Sequence, residues 1–282
     1  MKKIGIIGNG YVGGATALLA NPELEVVIYD KDPEKCDPLG VTLEELGTCN
    51  FVFVAVPTPM NEDGKCVTSI VEEVVKDLSD TGFNKERIVV KSTVPVSTCE
   101  GLGVMFMPEF LTEKNWENDF RNQKDWILGT NNRNDELRNE LYSIFKSAWE
   151  NGALKQEPNM LFVETREAEM TKLVRNCYLA TKVSFFNEIY DFCQTARVNY
   201  DKVREMVCLD TRIENSHTVV PGPDGKRGFG GTCFPKDMNS LLFQMRNNNN
   251  LPAYVIGAAL IRNATRDRPE KDWEKDWGRA II

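Results

Sequence analysis

The sequence predicts an α/β protein with a doubly wound parallel sheet, followed by a long central helix and a small all-helical domain. Three observations support this prediction. Apolar strand patterns alternate with helical patterns from residue 3 to residue 164. A glycine-rich turn, GNGYVG, joins the first strand to the first helix. From Thr165 to Ala196 the chain has the pattern of one helix, apolar on much of its surface.

The individual elements follow from local periodicity and from turn residues. We expect strands at Lys3–Ile7, Glu25–Asp30, Phe51–Val56, Arg87–Lys91, Val104–Met107, Trp126–Gly129 and Leu161–Glu164. We expect helices at Tyr11–Ala20, Ser69–Leu78, Asp135–Trp149, Asp201–Cys208, Pro235 to about Met245, and Pro252–Arg266, besides the long one. The predicted domains are a dinucleotide-binding domain at 1–164, a connecting and dimerisation helix at 165–197, and a helical domain at 198–282 that carries the substrate side and a catalytic cysteine.

Composition limits the classes of function. The chain has 282 residues, a formal net charge of −8 and a pI near 5.0, which argues against sequence-independent nucleic-acid binding. We find no secretory signal and no apolar run long enough for a membrane span, and therefore expect a cytoplasmic protein without a membrane partner. Eight cysteines without a CxxC pair and a single histidine, His217, predict reduced thiols and no metal site.

The first glycine turn carries the fingerprint of a dinucleotide site, which makes the predicted sheet Rossmann-type. Gly8, Gly10 and Gly13 permit a tight turn, a close approach of backbone to a pyrophosphate, and close helix packing. Asp30, at the end of the second strand, is placed to accept from both ribose hydroxyls. Because a carboxylate there would repel a 2′-phosphate, the predicted cofactor is NAD, although Lys31 follows directly.

Polar residues follow several strands at the carboxyl edge of the predicted sheet, where ligands bind in such folds. Thr58 lies in VPTP and Thr93 in KSTVP, and either hydroxyl could instead only cap a turn. PEFLTE brings Glu109 and Glu113 to the same edge. We therefore expect these residues to line a nicotinamide cleft.

The long helix carries a lysine and an asparagine on one face. Lys172 and Asn176 are four residues apart, so an ammonium and an amide could together hold an alkoxide or a hydrated aldehyde. If the chain had no nucleophile elsewhere, the simpler interpretation of Lys172 and Asn176 would be an exposed pair without a chemical role. Tyr178 is expected to pack in the core.

The segment GFGGTCFPKD predicts a reactive cysteine. Cys233 would directly precede a helix whose first turn holds Pro235, so its sulfur would face backbone N–H groups that favour thiolate over thiol. Gly230 and Gly231 remove side-chain bulk where a substrate must approach the sulfur. Asp237 follows one helical turn later. A thiolate and a hydride acceptor in one chain indicate oxidation through an aldehyde.

Seven motifs in order, GNGYVG, VPTP, KSTVP, PEFLTE, EMTKLVRNCYLATKVSFFNE, DTRI and GFGGTCFPKD, resemble the UDP-glucose/GDP-mannose dehydrogenase family of nucleotide-sugar 6-dehydrogenases. The resemblance implies an NAD-dependent, two-step, four-electron oxidation of the C6 alcohol of a nucleotide sugar, UDP-glucose to UDP-glucuronate. It would pass through a thiohemiacetal and a thioester on Cys233. Two hydride transfers from one carbon need a covalent hold between them, which a cysteine supplies.

The resemblance also implies roles for individual residues. It assigns Lys172 and Asn176 to charge stabilisation at C6, and Asp237 to water activation. It assigns Thr93 and Glu109 to positioning that water. The residues expected at the cofactor are Gly8, Gly10, Tyr11, Val12, Gly13, Asp30, Lys35, Thr58, Thr93, Glu113 and Lys236. Those expected at the substrate are Glu109, Phe110, Leu111, Lys172, Asn176, Arg212, which would reach across a dimer interface, and Gly230.

The sequence also departs from the family pattern. Family members continue into a third domain that closes over the nucleotide, whereas this sequence stops shortly after the helix at Pro252, as in a short form without the UDP-binding domain. We therefore expect poor coverage of the UDP half and a high Michaelis constant. The apolar long helix predicts a homodimer, because one face packs on the fold and the other needs a partner.

Other functions remain open. A β-hydroxyacid dehydrogenase also carries a Lys-x-x-x-Asn pair and performs a single hydride transfer, but this function would leave Cys233 unused. A non-catalytic nucleotide-sugar binding relative would keep the pocket without turnover. Within the family, GDP-mannose and UDP-N-acetylhexosamine are alternative substrates.

Overall fold

The computed structural model describes residues 1–132 and 134–282. The contacts between Cα atoms divide the chain into two compact units. The first unit contains Met1–Thr58 and Thr68–Lys172, and the second contains Pro59–Val67 and Leu173–Ile282. The predicted domain limits at residues 164 and 197 stay a prediction. Within the two described ranges, no helix is both long enough and apolar enough to cross a membrane.

The first unit is built on one sheet. Its strands are β1 (Lys2–Ile7), β2 (Leu24–Tyr29), β3 (Phe51–Val54), β4 (Ile88–Val90), β5 (Met105–Phe106), β6 (Asp125–Gly129) and β7 (Asn159–Val163). They are arranged in the order β2-β1-β3-β4-β5-β6-β7. The β5–β6 pair is antiparallel, with Phe106 opposite Gly129, and the other pairs are parallel. The predicted doubly wound fold is confirmed, with this one antiparallel pair as the difference.

Helices cover both faces of the sheet. They are α1 (Tyr11–Ala17), α2 (Ser69–Asp80), α3 (Thr98–Leu102), α4 (Trp116–Asn122) and α5 (Asp135–Glu150). One buried apolar cluster includes Ile4, Phe53 and Trp126, and the other includes Val54 and Val90. Buried β3 is apolar throughout, as a parallel strand covered on both sides must be. The short helices α3 and α4 were not predicted from the sequence.

The long helix α6 spans Thr165–Ala196, the range that the sequence predicted. Near its start, the fully buried Glu169 accepts hydrogen bonds from the backbone N–H groups of Ser97 (2.6 Å) and Cys99 (2.8 Å). Those N–H groups belong to the beginning of α3, where backbone donors lack partners within the helix. Glu169 therefore fixes the segment between β4 and α3 to α6. Burial raises the pKa of Glu169, against the effect of these hydrogen bonds.

The second unit continues with α7 (Tyr200–Val207), α8 (Cys233–Phe243) and α9 (Tyr254–Arg262). The last two helices each continue into a short π-helix, at Gln244–Asn248 and Asn263–Asp267. The predicted helix after Cys233 in fact begins at this cysteine, and Pro235 is its third residue. Proline is tolerated there because N–H groups of the first turn have no partner in the helix. The cysteine therefore lies inside the first turn.

Ion pairs hold the glycine-rich loop that precedes α8. Arg268 is only 1% exposed, pairs with Asp224 and donates from Nε to the carbonyl of Arg227 at 3.0 Å. Arg227 in turn pairs with Asp191 and Asp267, both at 2.9 Å. Because buried charges are costly unless they are paired, this network fixes the loop firmly. The sequence alone gave no reason to connect these residues.

Candidate active site

The glycine turn after β1 has the geometry that a dinucleotide site needs. Gly8 has a φ of +98°, and a Cβ there would lie 2.5 Å from the carbonyl oxygen of Ala55. A Cβ on Gly13 would overlap the carbonyl oxygen of Gly8. Gly10 has no atom within 4 Å of the position its Cβ would take. Gly8 and Gly13 are therefore required by contacts within the protein. Gly10 instead leaves open space for a ligand to approach the backbone.

Asp30 organises the same turn. Its Oδ2 accepts from the N–H of Asn9 at 2.8 Å, and its Oδ1 accepts from the N–H of Asp32 at 2.9 Å. Each carboxylate oxygen can accept a second hydrogen bond, so these two contacts leave acceptor capacity for ribose hydroxyls. The exposed Lys35 forms a 3.6 Å ion pair with Asp32, and its carbonyl accepts from the Asn9 side chain. Tyr11 and Val12 begin α1, half-buried. These residues fit NAD.

The two predicted threonines meet at the carboxyl edge of the sheet. The Thr58 hydroxyl donates to the carbonyl oxygen of Thr93 at 2.8 Å, and Thr58 is 5% exposed. Ser92 Oγ donates to the carbonyl oxygen of Val56 at 2.7 Å. The segments after β3 and β4 are thus joined side by side. This position agrees with the ligand-binding edge of a parallel sheet.

Glu109 and Lys172 form a buried ion pair within the first unit. The ammonium of Lys172 donates to both Oε1 and the main-chain oxygen of Glu109, each at 2.7 Å. Glu109 Oε2 accepts from the N–H of Leu111 at 2.8 Å, and the Phe110 ring centroid lies 5.7 Å from the Lys172 nitrogen. Glu109 is 6% exposed and Lys172 is 3% exposed. The structure thus brings together four residues that the sequence assigned to the substrate.

A second buried lysine lies in the same region. Lys91, which follows β4, is 3% exposed. Burial lowers the pKa of Lys91 from 10.5 to about 8, with a further lowering from Lys172 that opposes the raising effect of Glu109. The sequence showed this lysine only as part of KSTVP, and no role was assigned to it. A lysine directly after a wholly apolar strand was the available signal.

Asp237 is the centre of a buried cluster in the second unit. Its Oδ2 accepts from the Asn176 amide at 2.6 Å, and its Oδ1 accepts from the Lys236 ammonium at 2.7 Å. Asp237 is 1% exposed. Burial lowers the pKa of Lys236, but the charge and hydrogen bond of Asp237, together with smaller contributions from Cys66 and Cys233, outweigh burial and raise the pKa above 10.5. The carboxylate is therefore paired with a lysine that stays charged over the physiological range.

Cys233 lies one helical turn before Asp237. Both residues belong to α8, and residues four apart share a helix face. Cys233 is partly exposed and is the first residue of α8. Lys236 acts electrostatically on Cys233 and on the buried Cys66. No disulfide bond joins any of the eight cysteines, all of which lie in the described ranges.

Gly230 leaves room for a buried guanidinium. A Cβ at Gly230 would overlap Nη1 of Arg268, 2.8 Å from Cζ, and would lie 3.0 Å from Oδ1 of Asp272. Because Arg268 is buried and paired, it cannot move aside easily. The glycine therefore makes room for this guanidinium, and its predicted contact with substrate stays a prediction.

Two other predicted residues lie on the surface of the chain. The Arg212 side chain is 87% exposed and pairs with Asp210 at 2.5 Å. Glu113 is exposed in the segment between β5 and α4. Their predicted contacts, with substrate across a dimer interface and with cofactor, stay predictions. The prediction that Tyr178 packs in the core is wrong, because its side chain is 60% exposed.

Comparison with known proteins identifies the family. Residues 40–148 match the NAD binding domain of the UDP-glucose/GDP-mannose dehydrogenase family, and residues 166–265 match its central domain. The first match supports the prediction of NAD as cofactor.

Individual relatives agree with this match. A UDP-glucose 6-dehydrogenase of Pseudomonas aeruginosa is 32% identical over 86% of this chain and 55% of its own length. One from Streptococcus pneumoniae is 30% identical over 94% of this chain and 73% of its own length. A UDP-glucose dehydrogenase structure from Pyrobaculum islandicum aligns with a TM-score of 0.78 at 26% identity, over 93% of this chain and 68% of that chain.

The chain spans between about half and two thirds of the length of the first curated relatives it matches. The same family is indicated by both domain matches, by the order of the sequence motifs, and by the buried residues at the sheet edge and on α8. The chain therefore belongs to the UDP-glucose/GDP-mannose dehydrogenase family.

Proposed function

We propose that this chain oxidises the C6 alcohol of a nucleotide sugar, UDP-glucose in the first place, to the carboxylate with two equivalents of NAD. The observation that carries the proposal is the arrangement in α8, where Cys233 is partly exposed in the first turn and the buried Asp237 follows on the same face. A simple alcohol dehydrogenase has no use for a cysteine followed by a carboxylate in this way. Membership of the family supports the same reaction.

The first oxidation converts the C6 alcohol to an aldehyde and releases the hydroxyl proton. NAD, when bound, accepts the hydride of each oxidation. Lys172 and Asn176 are assigned to stabilise negative charge on the C6 oxygen as it develops. The ammonium of Lys172 is already oriented by Glu109 through two hydrogen bonds of 2.7 Å, so little reorganisation is needed.

The second oxidation needs the sulfur of Cys233. In the proposal the thiolate adds to the aldehyde carbon and forms a C–S bond, and the carbonyl oxygen becomes the oxygen of a thiohemiacetal. Loss of the second hydride from this carbon leaves a thioester. Cys233 is partly exposed at the start of α8, which supports this addition.

Hydrolysis of the thioester then releases the acid. Water adds to the acyl carbon, the C–S bond breaks, and the sulfur leaves as thiolate. Asp237 is assigned to take the proton of this water, with Thr93 and Glu109 positioning it. The hydrogen bonds from Lys236 and Asn176 fix the direction of the Asp237 carboxylate.

In the proposal, NAD is bound by the glycine turn after β1, by Asp30, and by Thr58 and Thr93 at the carboxyl edge of the sheet. The open space at Gly10 supports the approach of a pyrophosphate to the backbone. The remaining contacts expected at the cofactor are Lys35, Glu113 and Lys236.

The reaction is tested by the amount of NADH formed per sugar consumed. We expect two NADH per UDP-glucose and one UDP-glucuronate. A single NADH with a free aldehyde or ketone would favour the β-hydroxyacid type of reaction. The absence of NADH formation with UDP-glucose, GDP-mannose and UDP-N-acetylhexosamines would favour a non-catalytic binding protein.

Replacement of the cysteine tests the covalent step. Cys233→Ser is expected to abolish acid formation and to leave NAD binding intact. Cys208→Ser is the matched control, because Cys208 is also partly exposed and lies in the same unit. Equal acid formation by both variants would remove the thioester from the mechanism.

We also propose that the chain forms a homodimer through α6. Tyr178, Phe185 and Phe192 are 60%, 57% and 70% exposed and follow one another at intervals of seven residues. Aromatic residues at this spacing form one stripe, as in helices that pair with another helix. Light scattering should give twice the chain mass, and Phe192→Glu should lower it. A wild-type chain that is monomeric at micromolar concentration would contradict the proposal.

A further inference from the structure

The hydroxyl of Thr232 is a polar group beside the sulfur of Cys233, and the proposed function gives it no role. Its Oγ1 lies 3.8 Å from the Sγ of Cys233, and the two groups form a hydrogen bond in which either can be the donor. Thr232 is 8% exposed, whereas Cys233 is partly exposed. Thr232 is therefore a buried neighbour of an accessible cysteine.

The position of Thr232 at the start of α8 would suit a helix cap. A threonine directly before a helix commonly accepts a hydrogen bond from a backbone N–H of the first turn. A capping residue normally has an extended backbone, but Thr232 has a helical one, with a φ of −85° and a ψ of −31°. Among the residues that the structure describes, its side chain caps no backbone N–H of α8. The hydroxyl is therefore directed to the sulfur and not to the helix backbone.

The segment that leads to Thr232 is held by a buried asparagine. Asn263 is 1% exposed, accepts from the N–H of Phe229 and donates to the carbonyl oxygen of the same residue, each at 2.9 Å. Phe229 is 3% exposed, and its ring packs edge-on against the ring of Phe234, with 6.5 Å between the centroids. Thr232 and Cys233 lie between these two aromatic residues in the sequence. The hydroxyl and the sulfur therefore meet in a segment that is held on both sides.

The state of the sulfur decides the direction of this hydrogen bond. A thiol can donate to the hydroxyl oxygen or accept from the hydroxyl, but a thiolate has no proton and can only accept. Hydrogen bonds to an ionised acceptor are stronger than those between neutral groups. The hydroxyl of Thr232 therefore stabilises a thiolate at Cys233 more than a thiol.

We infer that the Thr232 hydroxyl donates a hydrogen bond to the thiolate of Cys233, both before the thiolate adds to the aldehyde and when it leaves the acyl carbon. The inference rests on the proposed function, in which this sulfur is the nucleophile. After water has added to the acyl carbon, the C–S bond breaks and its electron pair stays on the sulfur. The proton of the water goes to Asp237, as proposed above, and Thr232 keeps its own proton. Because Thr232 touches a reacting atom, it is a catalytic residue of the proposed reaction.

The test separates the hydroxyl of Thr232 from the size of its side chain. Thr232→Ser keeps the hydroxyl without the methyl group, Thr232→Val puts a methyl group in place of the hydroxyl, and Thr232→Ala lacks both. The wild type and the three variants are alkylated with iodoacetamide at pH 7 in the absence of NAD and sugar. Peptide mass spectrometry follows the rate at Cys233. This measurement needs no turnover.

The alkylation rates should follow the hydroxyl. In the Val and Ala variants we expect Cys233 to react about threefold more slowly than in the wild type, because less thiolate is present and its higher nucleophilicity compensates only in part. The Ser variant should react within about twofold of the wild type. The melting temperature of Thr232→Val should stay within about 2 °C of the wild type, since the hydroxyl does not cap α8.

The lifetime of the thioester is the second measurement. Acid quenching at successive times after mixing with UDP-glucose and NAD gives the rate at which the adduct on Cys233 decays. In the Val and Ala variants we expect this decay to be about tenfold slower than in the wild type, because the leaving thiolate has lost a donor. The Ser variant should restore the decay, and KM for NAD should change by no more than about twofold in any variant.

Three outcomes would overturn the inference. The first is an equal alkylation rate in all four proteins. The second is a rate that follows size, with the Ser and Ala variants both faster than the wild type and Thr232→Val. The third is a melting temperature of Thr232→Val lower by about 5 °C or more, which would make the hydroxyl a helix cap. Any of these together with acid formation by the wild type leaves the proposed function intact. If the wild type forms no NADH from a nucleotide sugar, the proposed function fails, and the alkylation rates still decide whether the hydroxyl acts on the sulfur.

Discussion

Replacing Lys91 by Met should make the protein more stable at pH 7, although the replacement removes a buried residue of the proposed active site. Lys91 is 3% exposed, and its charged form loses more hydration than Glu109 returns. Methionine fills nearly the same volume without a charge. The structure therefore predicts a gain in the free energy of unfolding that depends on pH in a defined direction.

The direction follows from the two pKa values. Burial lowers the pKa of Lys91 from 10.5 to about 8 in the folded protein, so between these values the unfolded chain binds a proton that the folded protein lacks. The wild type therefore gains stability from this group as the pH rises from about 8 to 10.5. At pH 7 the penalty is about 3 kcal/mol, and at pH 10 it falls to about 1 kcal/mol.

Urea unfolding of the wild type and Lys91→Met at pH 7 and pH 10 measures this difference. The stability advantage of the variant should be about 2 kcal/mol larger at pH 7 than at pH 10. Lys114→Met, at an exposed position of the same unit, controls for general effects of removing a lysine and should show no such pH dependence. An equal advantage at both pH values would refute the placement of Lys91 as a desolvated ammonium.

Two further predictions concern the glycine turn and the Asp237 cluster. Gly10→Ala should fold like the wild type but bind NAD at least about tenfold more weakly, whereas Gly13→Ala should lower the melting temperature even without ligand. Calorimetry measures the NAD affinity of each variant, and thermal unfolding measures its melting temperature. Equal melting temperatures of the two variants would contradict the packing described for Gly13. Asp237→Asn should cost about 3 kcal/mol in urea unfolding, because Lys236 keeps its buried charge without a charged partner. Adding Lys236→Met to this variant should recover most of the lost stability. If the effects of the two replacements on stability were additive, the pairing of Asp237 with Lys236 would be contradicted.

Much of the fold could be predicted because its signals are local. The limits of α6 at Thr165 and Ala196 follow from a long periodic pattern with neither proline nor glycine inside it. The antiparallel pairing of β5 and β6 could not be predicted, because a two-residue strand has too few residues to define a direction. The start of α8 was also misplaced, since Pro235 can occupy any position in a first turn.

The candidate site was predicted in its residue types but only partly in its contacts. Glu109 and Lys172 were both identified from the sequence, yet their ion pair joins positions 63 residues apart and depends on the tertiary fold. Gly230 was identified from the sequence, but only the fold shows that Arg268 fills the space beside it. Lys91 was overlooked, since its position directly after a wholly apolar strand is only a weak signal of burial.

The central claim is that the sulfur of Cys233 bonds to the carbon that is oxidised. Rapid acid quenching of the protein with UDP-glucose and NAD, followed by peptide mass spectrometry, tests it most directly. The proposal predicts that the peptide with Cys233 gains the mass of the UDP-glucuronyl group during turnover, and that it gains none when NAD is omitted. If UDP-glucuronate accumulates over the whole time course while no adduct forms on Cys233, the claim is contradicted.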